Sequence, residues 1–133
     1  MPSVEDQTES SRPCVDDLSI APSDELLRRI SPQYLSVEDG KPVVSSGAFR
    51  TDEMSVHLAS VANAEQALEG YSTHSLVGVL ASEVRRLGLK IYRDPPPDSH
   101  AIVCPRATKS QAKRLAAICT FRILGQPAVP PQL

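Results

Sequence analysis

The chain has 133 residues and a formal net charge of −2, a size that fits one domain. Its hydrophobic fraction is 41%, but aromatic residues make up only 4% and Trp is absent, so the core must be built from Leu, Val, Ile and Ala. No run of about 18 apolar residues occurs, which excludes a membrane-spanning helix, and the polar, acidic start Met1-Pro2-Ser3-Val4-Glu5-Asp6 lacks the basic and apolar regions of a signal peptide.

Taken in chain order, residues 1–22 read as an acidic, disordered tail, because they carry too few apolar side chains to offset the entropy of ordering. The segment Ser23-Asp24-Glu25-Leu26-Leu27-Arg28-Arg29-Ile30 fits either a capped short helix or a first strand, and Pro32 stops both. Glu38-Asp39-Gly40-Lys41-Pro42 is a turn by composition. Val43 to Phe49 reads as a strand, and so does Glu53 to Leu58. In the second, Met54, Val56 and Leu58 alternate against Glu53, Ser55 and His57.

Asn63 and Gln66 have capping-box spacing for a helix through Leu68, ended by Gly70. His74 to Leu80 reads as a buried strand. Ser82 is placed to cap a helix over Glu83 to Leu87, stopped by Gly88, and Leu89 to Tyr92 follows as a strand. Asp94-Pro95-Pro96-Pro97-Asp98 reads as a stiff, extended polyproline loop before a strand from His100 to Cys104. The last element is expected to be an amphipathic helix. Thr108 and Gln111 box its start, Ala112, Leu115, Ala116, Cys119 and Ile123 form its apolar stripe, and Gly125 and Pro127 end it. Residues 126–133 are a Pro-rich tail. The expected fold is thus one α+β domain over residues 23–125: a small, mostly antiparallel sheet with short helices and a C-terminal helix packed on one face.

Charge is segregated along this plan. Residues 1–25 hold Glu5, Asp6, Glu9, Asp16, Asp17, Asp24 and Glu25 against Arg12 alone. Residues 99–133 hold Arg106, Lys109, Lys113, Arg114 and Arg122 and no acid. The pattern implies that the tail folds back on the basic helix, or that each end meets a different partner. Cys14, Cys104 and Cys119 make an odd count with no CxxC pair, the usage of reduced thiols in a cytoplasmic protein.

No catalytic motif is assembled in the sequence. His57, His74 and His100 belong to no HxH or HExxH pattern, so no metal site and no cofactor is expected. There is no GxSxG elbow, although a sheet can bring Ser45, Ser46 or Ser55 to His57 or His100. Six scattered glycines rule out GxGxxG and P-loop phosphate cradles, which leaves Arg28, Arg29 and Arg50 near His57 as an isolated basic constellation. Arg106, Lys109, Lys113 and Arg114 are the candidate nucleic-acid contacts on the last helix, against a pI near 5.9 and few aromatics for stacking.

The order Arg29, Ser45-Ser46, Glu83 resembles the arginine, serine and glutamate order of ADP-ribosyltransferase-like folds. A broader resemblance runs from Leu26 to Leu124. It is carried by Leu27-Arg28-Arg29-Ile30, Ser45-Ser46-Gly47-Ala48-Phe49, Met54-Ser55-Val56, Ala81-Ser82-Glu83-Val84-Arg85, Asp94-Pro95 and His100-Ala101. These segments are similar to a family of small uncharacterised bacterial proteins, which implies a bacterial origin and a compact domain but no activity. Two functions follow as expectations beside nucleic-acid binding through the basic last helix. The first is a non-enzymatic interaction or accessory protein that meets a protein partner through its charge-segregated, Pro-rich ends. The second is a small enzyme whose catalytic residues are Arg50, His57 and His100, with Ser55 nearby.

Overall fold

The structure is a computed structural model, and it describes residues 13–126. Its elements are β1 (Glu25–Ile30), β2 (Leu35–Glu38), β3 (Lys41–Val44), β4 (Met54–Leu58), α1 (Ala64–Ala67), β5 (Ser75–Leu80), α2 (Ala81–Arg86), β6 (Lys90–Arg93), β7 (His100–Cys104), α3 (Lys109–Ile118) and β8 (Thr120–Ile123). Six strands form one antiparallel sheet in the order β6-β7-β4-β1-β5-β8, and β2 and β3 make a separate hairpin. The class is α+β, and no helix among the described residues is long and apolar enough to cross a membrane.

The period-2 alternation of side chains decides which face of the sheet is buried. Leu26 and Ile30 of β1, Met54, Val56 and Leu58 of β4, Val77 and Val79 of β5, and Ala101 and Val103 of β7 share the main core. Ala112 and Leu115 of α3, Ala81 and Val84 of α2, and Phe49 close over them. Each Val, Leu, Ile, Met or Phe side chain among them contributes roughly 1.5–3 kcal/mol by leaving water. The opposite face buries a smaller apolar cluster around Leu27, Ala67 and Leu76, and Ile102 and Cys104 of β7 are buried as well. Between these, Arg29, Ser55, His57 and His100 occupy positions on the same face, and they form the candidate site.

Several expected elements form as read. Asp39 and Gly40 both have positive φ, 53° and 77°, as a two-residue hairpin turn between β2 and β3 requires. Both capping boxes are made, at Asn63 with Gln66 and at Thr108 with Gln111. The ambiguous first segment is a strand, because β1 lies between β4 and β5 in the middle of the sheet and pairs with β5 along its full length.

Other expectations are corrected. Val43 to Phe49 is not one strand: β3 stops at Val44, Ser45 caps a 3-10 turn Ser46–Phe49, and α3 packs on that turn. Ser82 is not the cap of α2, whose N-cap is Leu80 with no side-chain bond. The triple-proline run is not an extended spacer. It reverses direction between β6 and β7, with the Asp94 N–H donating to the His100 carbonyl and the His100 N–H to the Pro97 carbonyl. The last helix ends at Ile118 rather than Gly125, since Thr120 to Ile123 form the edge strand β8 against β5. The β-branched and aromatic residues Thr120, Phe121 and Ile123 suit that pleated edge better than a helix.

The acidic tail is docked from Pro13 onward, and residues 1–12 lie outside the described residues, as do residues 127–133. Cys14 and Cys104 form a disulfide with a Cα–Cα distance of 5.9 Å, so these two cysteines are not the reduced thiols expected, whereas Cys119 is free. The Asp17 N–H donates to the Ile91 carbonyl at 2.7 Å, the Ile91 N–H donates to Asp16 Oδ1 at 3.0 Å, and Ile20 is buried in the core. Among the described residues, the acids of this segment do not meet the last helix. Asp16 pairs with Arg85 at 3.0 Å and Asp17 with Arg93 at 3.5 Å, while Glu25 pairs with Arg122 of β8.

The chain after β8 is fastened by close backbone approach. The Gly125 N–H donates to Ser75 Oγ at 2.7 Å. A Cβ on Gly125 would stand 2.5 Å from the His74 carbonyl and from the Thr73 oxygen, both backbone atoms that cannot swing aside. Gly125→Ala is therefore expected to destabilise the fold by about 1–3 kcal/mol in a urea titration.

Candidate active site

Two polar chains of contacts lie side by side on the face opposite the main core. Their origin is the register of β1, β4 and β7. His57 of β4 stands opposite Leu27 of β1 and opposite His100 of β7, so both imidazoles project from the same face with ring centroids 5.6 Å apart. Ser55 and Arg29, two residues along their strands, share that face. β1 and β4 pair only at Leu26 with Leu58 and Leu27 with His57. Past that point the Arg28 guanidinium stands in for the ladder. Its Nη1 donates to the Ser55 carbonyl at 2.8 Å, and its Nε and Nη2 donate to the Ala48 carbonyl at 3.2 and 2.9 Å. Burial pulls the Arg28 pKa down to about 10, which still leaves it charged at neutral pH.

The first chain runs Asp94, His100, Ser55. His100 Nδ1 lies 2.8 Å from the Asp94 carbonyl oxygen and 3.2 Å from Asp94 Oδ2, two acceptors. The ring proton therefore belongs on Nδ1, and Nε2 is left as an acceptor. Ser55 Oγ is in hydrogen-bond contact with that Nε2. A hydroxyl donating to an imidazole whose other nitrogen is held by a carboxylate-bearing residue is the arrangement that activates a serine.

The second chain runs Arg29, His57, Ser99. Arg29 Nε donates to the Ala67 carbonyl at 2.6 Å, Nη2 lies 3.0 Å from His57 Nε2, and the guanidinium sits 4.0 Å over the Tyr71 ring. A guanidinium only donates, so His57 Nε2 accepts and Nδ1 carries the proton, which it donates to Ser99 Oγ at 2.8 Å. This serine accepts from its histidine, so His57 is not its base. Burial pushes the His57 pKa down to about 4, helped by the Arg29 charge and by the neighbouring His100 ring. A cavity of about 360 Å³ opens over this chain, bordered by Arg29, His57, Gln66, Glu69, Asp98 and Ser99.

The titration of His57 has a stability consequence. Its folded pKa of about 4 lies below the ordinary 6.5, so the unfolded chain takes up a proton that the folded chain refuses. The contribution is intact above the unfolded pKa and is lost as pH falls through the interval between the two values. It is expected to be on the order of 2 kcal/mol. His57→Gln keeps an acceptor for Arg29 and does not titrate, so its denaturation midpoint should fall less steeply with acid over that interval.

The residues expected from sequence fare differently. His57 and His100 come together, with Ser55 on His100. Arg50 does not join them: it caps the 3-10 turn, and its Nε is buried with no hydrogen-bond partner. Arg29 takes the place beside His57. It was legible only as part of a basic constellation, because nothing in the sequence says which arginine the register delivers. Ser99 and Asp94 were missed, since both belong to a loop whose reversal only the pairing of β6 with β7 reveals. Ser45 and Ser46 lie at the 3-10 turn, and Glu83 of α2 pairs with Arg86, so the arginine, serine and glutamate order does not assemble on Arg29. Arg106, Lys109, Lys113 and Arg114 are exposed on or just before α3, with Arg106 3.9 Å from Asp52. Among the described residues no group of three His, Cys, Asp or Glu could hold a metal ion. Comparison with protein-family models, with curated proteins and with solved structures finds no match, so the meaning of the site rests on its own geometry.

Proposed function

We propose that the chain is a small enzyme of the hydrolase or acyl-transfer kind, with Ser55 as nucleophile and His100 as its base. The observation that carries this is the contact of Ser55 Oγ with His100 Nε2 while Asp94 holds His100 Nδ1. In the first step the Ser55 hydroxyl proton passes to His100 Nε2 as Oγ bonds the acyl carbon of an ester. The C–O bond to the leaving alcohol then breaks, and that oxygen takes the proton from His100. Water repeats the sequence on the acyl-serine, giving the acid and free Ser55.

The competing reading, a partner-binding protein without catalysis, drew on the charge-segregated ends. Asp16, Asp17 and Glu25 are paired internally with Arg85, Arg93 and Arg122, which weakens that support. The Cys14–Cys104 disulfide favours an oxidising compartment over the cytoplasm.

A test that needs no knowledge of the substrate is phosphonylation by an alkyl fluorophosphonate. Attack by Oγ on phosphorus expels fluoride and sends the serine proton to His100. The expected result is one covalent adduct, mapped by mass spectrometry to Ser55 and absent from Ser55→Ala. A folded chain whose Ser55 stays unmodified while a reference serine hydrolase is labelled overturns the proposal.

A further inference from the structure

We infer that a second cavity, at the C-terminal end of β1, is a binding site for the phosphoryl group of a small molecule. It has a volume of about 220 Å³ and is lined by Arg28, Arg29, Ser31, Tyr34, Tyr71 and His74 among others, with no carboxylate in its wall. The inference does not rest on Ser55 or His100, neither of which lines this cavity.

Three observations point to an oxyanion. The first is uncompensated charge. Among the described residues, neither Arg28 nor Arg29 pairs with a carboxylate. Their partners are the Ala48, Ser55 and Ala67 carbonyls, His57 and the Tyr71 ring. Arg28 and Arg29 are neighbours on β1 and both border this cavity, so a dianion bound there offsets both charges. A single carboxylate supplies half the charge that a phosphoryl group does, about −1.5 to −2 at neutral pH.

The second is unused donor capacity. A guanidinium carries five N–H groups. Arg28 makes three hydrogen bonds and Arg29 two, so both keep N–H groups for a ligand. Arginine is suited to phosphate because two of its N–H groups can address two oxygens at once. The third is an orphaned polar atom. His74 lines the cavity, and its Nδ1 is closed to solvent with no hydrogen-bond partner, a state that normally costs about 1–3 kcal/mol and that a turn of the ring toward a bound anion relieves. The hydroxyls of Ser31, Tyr34 and Tyr71 add donors of the same kind.

Size narrows the ligand. A cavity of about 220 Å³ is below the usual range of roughly 300–1,000 Å³ for a whole drug-sized molecule, so it holds a phosphoryl group and little more. Arg29 also borders the 360 Å³ cavity over His57. The remainder of a phosphorylated molecule can therefore extend past Arg29 toward Ser99.

The test is calorimetric titration of the full chain with inorganic phosphate and, in a parallel arm, with phenyl phosphate. Saturable binding at one site per chain is expected, weakened about tenfold or more in Arg29→Gln and several-fold in His74→Ala. Tighter binding of phenyl phosphate identifies an esterified phosphoryl as the ligand. Equal binding of the two identifies the free ion, which overturns the small-molecule part of the inference. Arg29→Gln also loses the Ala67 bond, so His74→Ala, checked for an unchanged unfolding midpoint, guards against a variant that merely misfolds. Absence of saturation with both ligands, or equal binding by the parent and a folded His74→Ala, overturns the site. Fluorophosphonate labelling of Ser55 is expected to persist in His74→Ala, so failure here leaves the catalytic proposal standing, and the reverse.

Discussion

Replacing His100 by Asn is expected to slow fluorophosphonate labelling of Ser55 by roughly 10²–10⁴-fold, the usual worth of a positioned general base. Asn approximates the ring's size and can still donate toward the Asp94 carbonyl, but it has no basic nitrogen to receive the serine proton. The rate is read as the growth of the adduct in intact-mass spectra. His57→Gln is the internal contrast. His57 already gives its proton to Ser99 and takes Arg29 on its other nitrogen, so it has no base nitrogen to offer Ser55. Its labelling rate should stay close to that of the parent chain. Asp94→Asn is expected to fall between them, on the order of tenfold, because the Asp94 backbone carbonyl holds the His100 tautomer even when the carboxylate is gone. Equal rates for the parent and the His100 variant would mean that Ser55 is not activated by His100 at all.

The second large effect concerns the disulfide. Cys14 and Cys104 close a loop with a sequence separation of 90 residues. In the chain-entropy account a cross-link over that span stabilises by about 4–5 kcal/mol, and removal of native bridges commonly costs about 2–5 kcal/mol. Cys14→Ser is therefore expected to lower the thermal midpoint by roughly 10–20 °C, read by calorimetry. Cys14 is the better of the two to change, because Cys104 is buried and its truncation would add a packing defect. The bridge also holds the segment whose Asp16 and Asp17 side chains engage Arg85 and Arg93. A reductant added to the parent chain should reproduce the loss, and one that leaves the midpoint in place would show that the tail's polar contacts and Ile20 suffice.

The alternation of Met54, Val56 and Leu58 against Ser55 and His57 was readable from the chain, and so were the two capping boxes and the Asp39-Gly40 turn. Each is a local rule: side-chain period, cap geometry and tolerance of positive φ act over a few residues. The end of the last helix was not readable, because Ala116, Cys119 and Ile123 continue a helical spacing equally well. The decision for a strand at Thr120 comes from the free edge of β5, which offers hydrogen bonds that no local pattern announces. The same holds for β1, where a capped helix and a strand were equally good on local grounds until β4 and β5 flanked it.

The sequence by itself determined the class, an aliphatic α+β domain with the capped starts of α1 and α3 and the Asp39-Gly40 turn, because those follow from short-range sterics and from the periodicity of apolar residues. It also narrowed the polar chemistry to a few histidines, serines and arginines. Only the tertiary structure decided that Arg29 rather than Arg50 meets His57, that Asp94 and Ser55 bracket His100, and that Cys14 reaches Cys104. Strand register sets those partners, and register is fixed by the burial of a whole sheet face, a property of many residues distant in the chain.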